Sequence, residues 1–106
     1  MTLNDILEKM PQALDANAAA GVDATIQFNT SEPRHAVIKD GAMTVHDGVA
    51  SSYTVAVTMS DDDLAQLFTG ELDGMTAFMT GKLKVDGDLM FAQKMTSLFD
   101  RSKLTS

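Results

Sequence analysis

One alternating run, Lys-Leu-Lys-Val-Asp at residues 82–86, lies apart from every other strand-like segment of the chain. Leu83 and Val85 point one way and the charged residues the other, the period-two pattern of a strand with one wet face. Four further alternating runs all come earlier, within residues 22–59, and helical patterns separate them from the fifth. A lone strand leaves its backbone groups unpaired, so this one has to return to a sheet already built from the other four. The element order αββββααβα then predicts an α+β (α/β) fold. Its five-stranded sheet is mixed, the last strand rejoins it after a helical crossover, and the helices share one face.

The first element is a helix over residues 2–14, in which Leu3, Ile6, Leu7, Met10 and Leu14 recur at helical spacing. Thr2 suits the N-cap and Asp5 the first turn, while Pro11 predicts a kink or break near Met10. The small residues 15–21 end in Gly21 and read as a helix stop or loop. Residues 22–28 form the first strand, with Val22, Ala24, Ile26 and Phe28 inward. Residues 34–39 and 42–47 are joined by Asp40-Gly41, a strong two-residue hairpin signal, which sets His35 opposite His46. Residues 52–59 make the fourth strand, with Tyr53, Val55, Val57 and Met59 on one face.

From Leu64 to Phe99 the chain is apolar, rich in methionine and repeatedly broken by Gly70, Gly74, Gly81 and Gly87. Ser60 caps a helix whose first turn holds Asp61, Asp62 and Asp63. Consecutive helical residues diverge, so these carboxylates serve the helix dipole and not a metal. Leu64, Leu67 and Phe68 form its buried stripe. Asp73 caps a short helix over 74–80, and Asp88 caps a last helix through about Arg101. That last helix has a band of Leu89, Phe91, Ala92, Met95, Leu98 and Phe99, wider than one packed face needs. Thioether side chains either fill irregular core gaps or line surfaces that accept variable apolar partners.

Gly70-x-Leu72, Ala77, Gly81-Lys82-Leu83-Lys84-Val85-x-Gly87-Asp88 and Ala92-x-Lys94-Met95 together resemble the signature of the sterol carrier protein 2 (SCP-2) lipid-binding family. The motif spans 26 residues without a gap, and the flanking order of elements also fits. The resemblance implies a single domain over residues 1–106, with helices packed on the sheet to enclose an apolar tunnel. It also implies binding of fatty acids, fatty acyl-CoA, sterols or other lipids, with no catalytic residues and no cofactor. The side chains expected to line the tunnel are Phe28, Phe68, Leu72, Met75, Phe78, Met79, Leu83, Met90, Phe91, Met95 and Leu98.

Net charge is −7 with a pI near 4.4, which argues against nucleic acid and against strong attraction to anionic membranes. The charge is uneven. Residues 1–81 hold three basic and twelve acidic side chains, whereas residues 82–106 hold five and three. That basic end either complements a helix terminus or, through Lys82, Lys84 and Lys94, meets a lipid head group or a membrane transiently. There is no cysteine, which excludes disulfides and thiolate chemistry. Neither a membrane-spanning run nor a signal-peptide pattern is present, so a cytoplasmic location is expected. Ser102-Lys103-Leu104 spells the peroxisomal signal some relatives of the family carry, but Thr105-Ser106 follow it, as in stand-alone microbial members.

Nothing in the sequence supplies a nucleophile and base at sensible spacing, nor a P-loop, a G-x-S-x-G elbow or H-E-x-x-H. The His35–His46 pair is expected on the outer face of the sheet without a metal. The sequence therefore supports non-catalytic lipid binding or transfer. Two alternatives stand beside it: an accessory domain presenting lipid substrate to an enzyme, and an interaction module whose Met-rich groove receives a partner helix.

Overall fold

In the computed structural model, which describes residues 3–105, the Asp40-Gly41 turn sets the register of the sheet. Both residues lie in the left-handed region, with φ of 54° and 74°, as the tight turn that matches strand twist requires. Strands β2 (Arg34–Lys39) and β3 (Ala42–Asp47) pair antiparallel across it, with His35 opposite His46. Strand β1 (Ala24–Asn29) pairs antiparallel with β2, and β4 (Val55–Thr58) pairs parallel with β1. The lone late strand, β5 (Lys84–Gly87), adds antiparallel to β4, giving the order β3-β2-β1-β4-β5. The fold is thus α+β with a five-stranded mixed sheet. Its parallel pair is not made by the fifth strand: it arises at β1 and β4, because the chain leaves the β3 edge and crosses back before β4 begins.

That return path explains a departure from simple alternation. Gln27 belongs to the face opposite Ile26 and Phe28, yet it is only 1% exposed. Residues 48–54 fold across it, and the Ala50 N–H donates to its Oε1 at 2.8 Å while its Nε2 donates to the Arg34 carbonyl at 3.2 Å. A buried amide is tolerated because both of its ends are satisfied. Two strand limits also move. Val22 is half-buried and precedes β1, and Tyr53 is exposed ahead of β4. The Tyr53 hydroxyl donates to the Asp86 carboxylate at 2.6 Å, an interaction that pushes the phenol's pKa up.

The helices pack on the face carrying Ile26, Phe28, Val55 and Val57. Helix α1 (Leu3–Ala13) buries Ile6, Leu7, Met10 and Ala13; the expected Thr2 cap lies outside the described residues. The break expected near Met10 does not occur. Pro11 sits in the last turn, where its missing N–H removes one ladder bond, and the Leu14 N–H closes that turn on the Met10 carbonyl at 3.0 Å. Helix α2 (Asp61–Thr69) is capped by the Ser60 hydroxyl, which accepts from the Asp63 N–H at 3.2 Å. Asp61 in turn accepts from the Ser31 N–H and hydroxyl, which hold its carboxyl below the usual range and tie α2 to the β1–β2 turn. Phe68 stands edge-on to Phe28 at 6.0 Å and to Phe99 at 5.7 Å, at the centre of the core.

The last helix is not continuous to Arg101. Helix α4 covers Leu89–Lys94, a 3-10 turn covers Met95–Leu98, and α5 (Arg101–Thr105) starts afresh. Between them the backbone turns to the N-terminal segment. The Asp15 N–H donates to the Leu98 carbonyl at 2.7 Å and the Asp100 N–H to the Ala13 carbonyl at 2.8 Å, around a bridge between Leu14 and Phe99. Those pairings replace the helical bonds that periodicity alone anticipates. Asp100 then opens α5 by accepting from the Ser102 N–H and hydroxyl, which lower its pKa. Leu104 is fully buried in α5, while Ser102 and Lys103 of the same tripeptide are exposed.

Candidate functional site

Short helices with capped ends frame an apolar hollow at one end of the sheet. Gly70 ends α2 with φ of 88°, and Asp73 then caps α3 (Gly74–Met79), accepting from the Thr76 N–H at 3.2 Å and its hydroxyl at 3.0 Å. Past α3, the N–H groups of Lys82 and Leu83 both donate to the Ala77 carbonyl, at 2.9 and 3.1 Å, and so direct the chain into β5. At the far end of β5, Asp88 caps α4 by accepting from the Phe91 N–H at 3.0 Å. Six-residue α3 and α4 are too short to be stable alone, so caps and packing hold them in place.

Between them lies a cleft of about 580 Å³, open to solvent on one side. Its deep wall is Val57, Leu67 and Met95, each less than 5% exposed. Leu72, Leu83, Val85 and Ala92 line the middle, half-buried. Met75, Phe78 and Leu89 form the rim, at 63%, 51% and 52% exposure. Two polar side chains, Asp73 and Gln93, also reach the lining.

Of the residues expected in a tunnel, the structure gathers Leu72, Met75, Phe78, Leu83 and Met95 around this space. It places the others elsewhere. Phe28 and Phe68 pack against each other in the core, and Phe91 and Leu98 are buried outside the lining. Met79 and Met90 are the reverse case, 78% and 79% exposed and outside the lining too. An apolar stripe shows which residues avoid water, and does not distinguish a side chain that meets another from one that meets empty space. Sequence reasoning missed Val57, Leu67, Val85, Leu89, Ala92, Gln93 and Asp73 as lining residues. Signals existed for some of them. Val85 follows Leu83 by two residues on one strand face, and Val57 stands opposite Val85 in the register. Leu89, Ala92 and Met95 recur every three residues.

The histidines sit far from this chemistry, on β2 and β3. Their rings stack at 5.1 Å with 23° between planes. His35 Nδ1 lies 3.1 Å from the Gly48 carbonyl and His46 Nε2 lies 2.9 Å from Thr44 Oγ1. Among the described residues, no group of three or more potential ligating side chains comes together to hold a metal. Nor is any described helix long and apolar enough to cross a membrane. Lys82, Lys84 and Lys94 are exposed, and the Lys94 ammonium lies 5.8 Å from the centre of the Phe91 ring.

Comparison with known proteins places this architecture. The chain matches the model of the SCP-2 sterol transfer family over residues 3–100. It is 37% identical over 68 residues to peroxisomal multifunctional enzyme A of Dictyostelium discoideum, an alignment covering 63% of this chain and 15% of that protein. Against sterol carrier protein 2 of Bos taurus it is 36% identical over 61 residues, covering 58% of this chain and 11% of that one. The chain therefore spans 15% or less of the length of these two relatives. Among solved structures, palmitated SCP2L2 from Aedes aegypti superposes with a TM-score of 0.74 at 25% identity, covering 92% of this chain and 93% of its own. With a match that runs from α1 to the bridge at Phe99, the chain belongs to the SCP-2 sterol transfer family.

Proposed function

We propose that this chain acts as a single domain that holds the apolar part of a lipid in the cleft between α3, β5 and α4, without catalysing a reaction on it. The observation that carries the reading is the cleft itself. Its volume of about 580 Å³ falls within the ~300–1,000 Å³ typical of ligand pockets, and most of its lining side chains are aliphatic, aromatic or thioether, with Asp73 and Gln93 the polar ones. Fatty acyl chains, fatty acyl-CoA, sterols and isoprenoid lipids all suit such walls. Family membership supports the reading, as does a relative described as palmitated. Native mass spectrometry of the purified protein, followed by lipid extraction, tests it. A stoichiometric lipid adduct is expected, and a protein that stays ligand-free after incubation with acyl, sterol and isoprenoid lipids would sink the proposal.

A second reading has its own support. Two relatives are named peroxisomal multifunctional enzymes, and the matching region is a small share of their length. The same cleft then presents lipid to an enzyme instead of carrying it between membranes. The proposed setting is cytoplasmic, and the buried side chain of Leu104, last residue of the tripeptide that resembles a peroxisomal address, supports that reading. Peroxisomal relatives make organelle imaging of the intact chain the direct check.

Transient membrane contact completes the proposal. The exposed Met79 and Met90 thioethers, with the Met75 and Leu89 rim, are apolar groups left in water. Lys82, Lys84 and Lys94 supply positive charge on the same segments of an otherwise acidic chain. Exposed charges act chiefly on encounter rates. The double substitution Lys82→Glu with Lys84→Glu is expected to slow lipid transfer to anionic acceptor vesicles several-fold at low salt. The difference should close at high salt, with equilibrium ligand affinity unchanged. Collapse of affinity itself would instead place these lysines at the ligand's head group.

A further inference from the structure

The methionines of this chain divide sharply by exposure, and the division follows the cleft. Met75, Met79 and Met90 are 63%, 78% and 79% exposed, and each belongs to α3 or α4, the short helices that frame the opening. The other methionines among the described residues, Met10, Met43, Met59 and Met95, are at most 5% exposed. We propose that the three exposed thioethers are a site of oxidation by hydroperoxides, and that sulfoxide formation at Met75 lowers the affinity of the cleft for lipid. The effect on affinity rests on the lipid reading above; the oxidation itself does not.

The chain has neither cysteine nor tryptophan, so its thioethers are the side chains that react most readily with a peroxide. In that step the hydroperoxide O–O bond breaks and an S–O bond forms. The sulfur gives up an electron pair, one oxygen is transferred to it, and the other leaves as water, or as an alcohol from an organic hydroperoxide, taking the proton. The oxidant has to arrive from solvent, which the buried sulfurs do not meet. Oxidation is therefore directed to the mouth of the cleft and away from the core.

A sulfoxide is polar where the thioether was apolar. Its consequence depends on what each side chain faces. Met75 is part of the lining, with Leu72 and Phe78, so a lipid chain that covers the rim also covers its S=O group and offers it no donor. Met79 and Met90 are outside the lining, and their sulfoxides stay in water whether or not a lipid is bound. Covering an unpartnered polar group weakens binding by about five-fold to a hundred-fold. Because Met75 keeps much of its surface in water, the low end applies, a loss of about five-fold.

The test treats the purified protein with limiting hydrogen peroxide, maps the added oxygen by peptide mass spectrometry, and titrates a fluorescent fatty acid before and after. Met75, Met79 and Met90 are expected to be converted before Met10, Met43, Met59 and Met95. Affinity should fall about five-fold with the thermal melt nearly unmoved, and recover when methionine sulfoxide reductases for both epimers are added. Saturating fatty acid should slow oxidation of Met75 and leave that of Met79 and Met90 unchanged. The variant Met75→Leu, which cannot be oxidised, is compared with its own untreated form, and peroxide should leave its affinity where it was. Equal oxidation of buried and exposed methionines would overturn the site. A loss of affinity that persists in Met75→Leu, or none when Met75 is converted in wild type, would overturn the role of Met75 while leaving the lipid reading intact. Untreated protein that binds no fatty acid or other lipid overturns that reading and its control by oxidation together.

Discussion

Replacing Gly87 with alanine is expected to lower the unfolding free energy by about 3 kcal/mol or more, and the melting temperature by roughly 10 °C or more. Two independent constraints coincide at this position. Its φ is 104°, a conformation that L side chains rarely adopt. A Cβ there would also lie 2.5 Å from the carbonyl oxygen of Thr54, the residue just ahead of β4, and 3.1 Å from the Cα of Val55, which opens β4, both of them backbone atoms. Backbone in a paired strand cannot swing aside as a side-chain end can. To accept the methyl group, β5 must part from β4 at the Val55–Gly87 pairing, and the bond from the Asp88 N–H to the Thr54 carbonyl goes with it. Gly48→Ala is the matched control. It has φ of 89° but nothing within 4 Å of the added carbon, so it carries the backbone strain without the clash. Urea unfolding of both variants separates the effects. Equal losses would mean that the approach to Thr54 is not what fixes glycine at residue 87.

The second large effect concerns binding without folding. Phe78→Asp is expected to weaken binding of a fluorescent fatty alcohol by ten-fold or more, with the melting temperature within a few degrees of wild type. Phe78 lines the cleft yet is 51% exposed, so the folded state draws little of its stability from it. A ligand that covers it gains up to ~1.5–3 kcal/mol, which an aspartate forfeits before its own desolvation is counted. Met79→Asp provides the contrast. Sequence reasoning puts Met79 in the tunnel wall; at 78% exposure and outside the lining, it is expected to leave both melting and affinity near wild type. Met95→Asp should fail in the opposite way, since a charge at a 2% exposed position unfolds the domain before binding is an issue. Titration and thermal melts of the three variants together test the map. Equal losses of binding in Phe78→Asp and Met79→Asp would return the ligand to the outer face of α3.

These contrasts show what a single sequence reveals and where it stops. The Asp40-Gly41 turn fixed the hairpin register, because so few residues accept two successive positive φ angles. Ser60, Asp73 and Asp88 marked three helix starts correctly, because orphan amides need an acceptor at a set distance. The position of the parallel pair was not legible. Strand alternation reports which face is buried and carries no record of which neighbour a strand chooses. Gln27 looked outward for the same reason, as its cover is a loop with no apolar pattern of its own. In the candidate site, helical spacing identified water-avoiding side chains without saying which of them have a neighbour. Phe28 and Phe68 therefore counted as wall although they fill each other's space, and Val57 was overlooked although it borders the cavity.

The bridge between Leu14 and Phe99 has a consequence for how the protein is made. Helix α1 is synthesised well before part of its anchorage, the pairing of residues 13–15 with 98–100 and the packing of α1 on α5, becomes available. On the ribosome, where domains complete from the N-terminal side at about 5–20 residues per second, the segment bearing Ile6, Leu7 and Met10 must wait several seconds for those partners. Through that interval its apolar face is an open invitation to chaperones. The nascent chain thus keeps α1 provisional until residues 98–105 have left the exit tunnel.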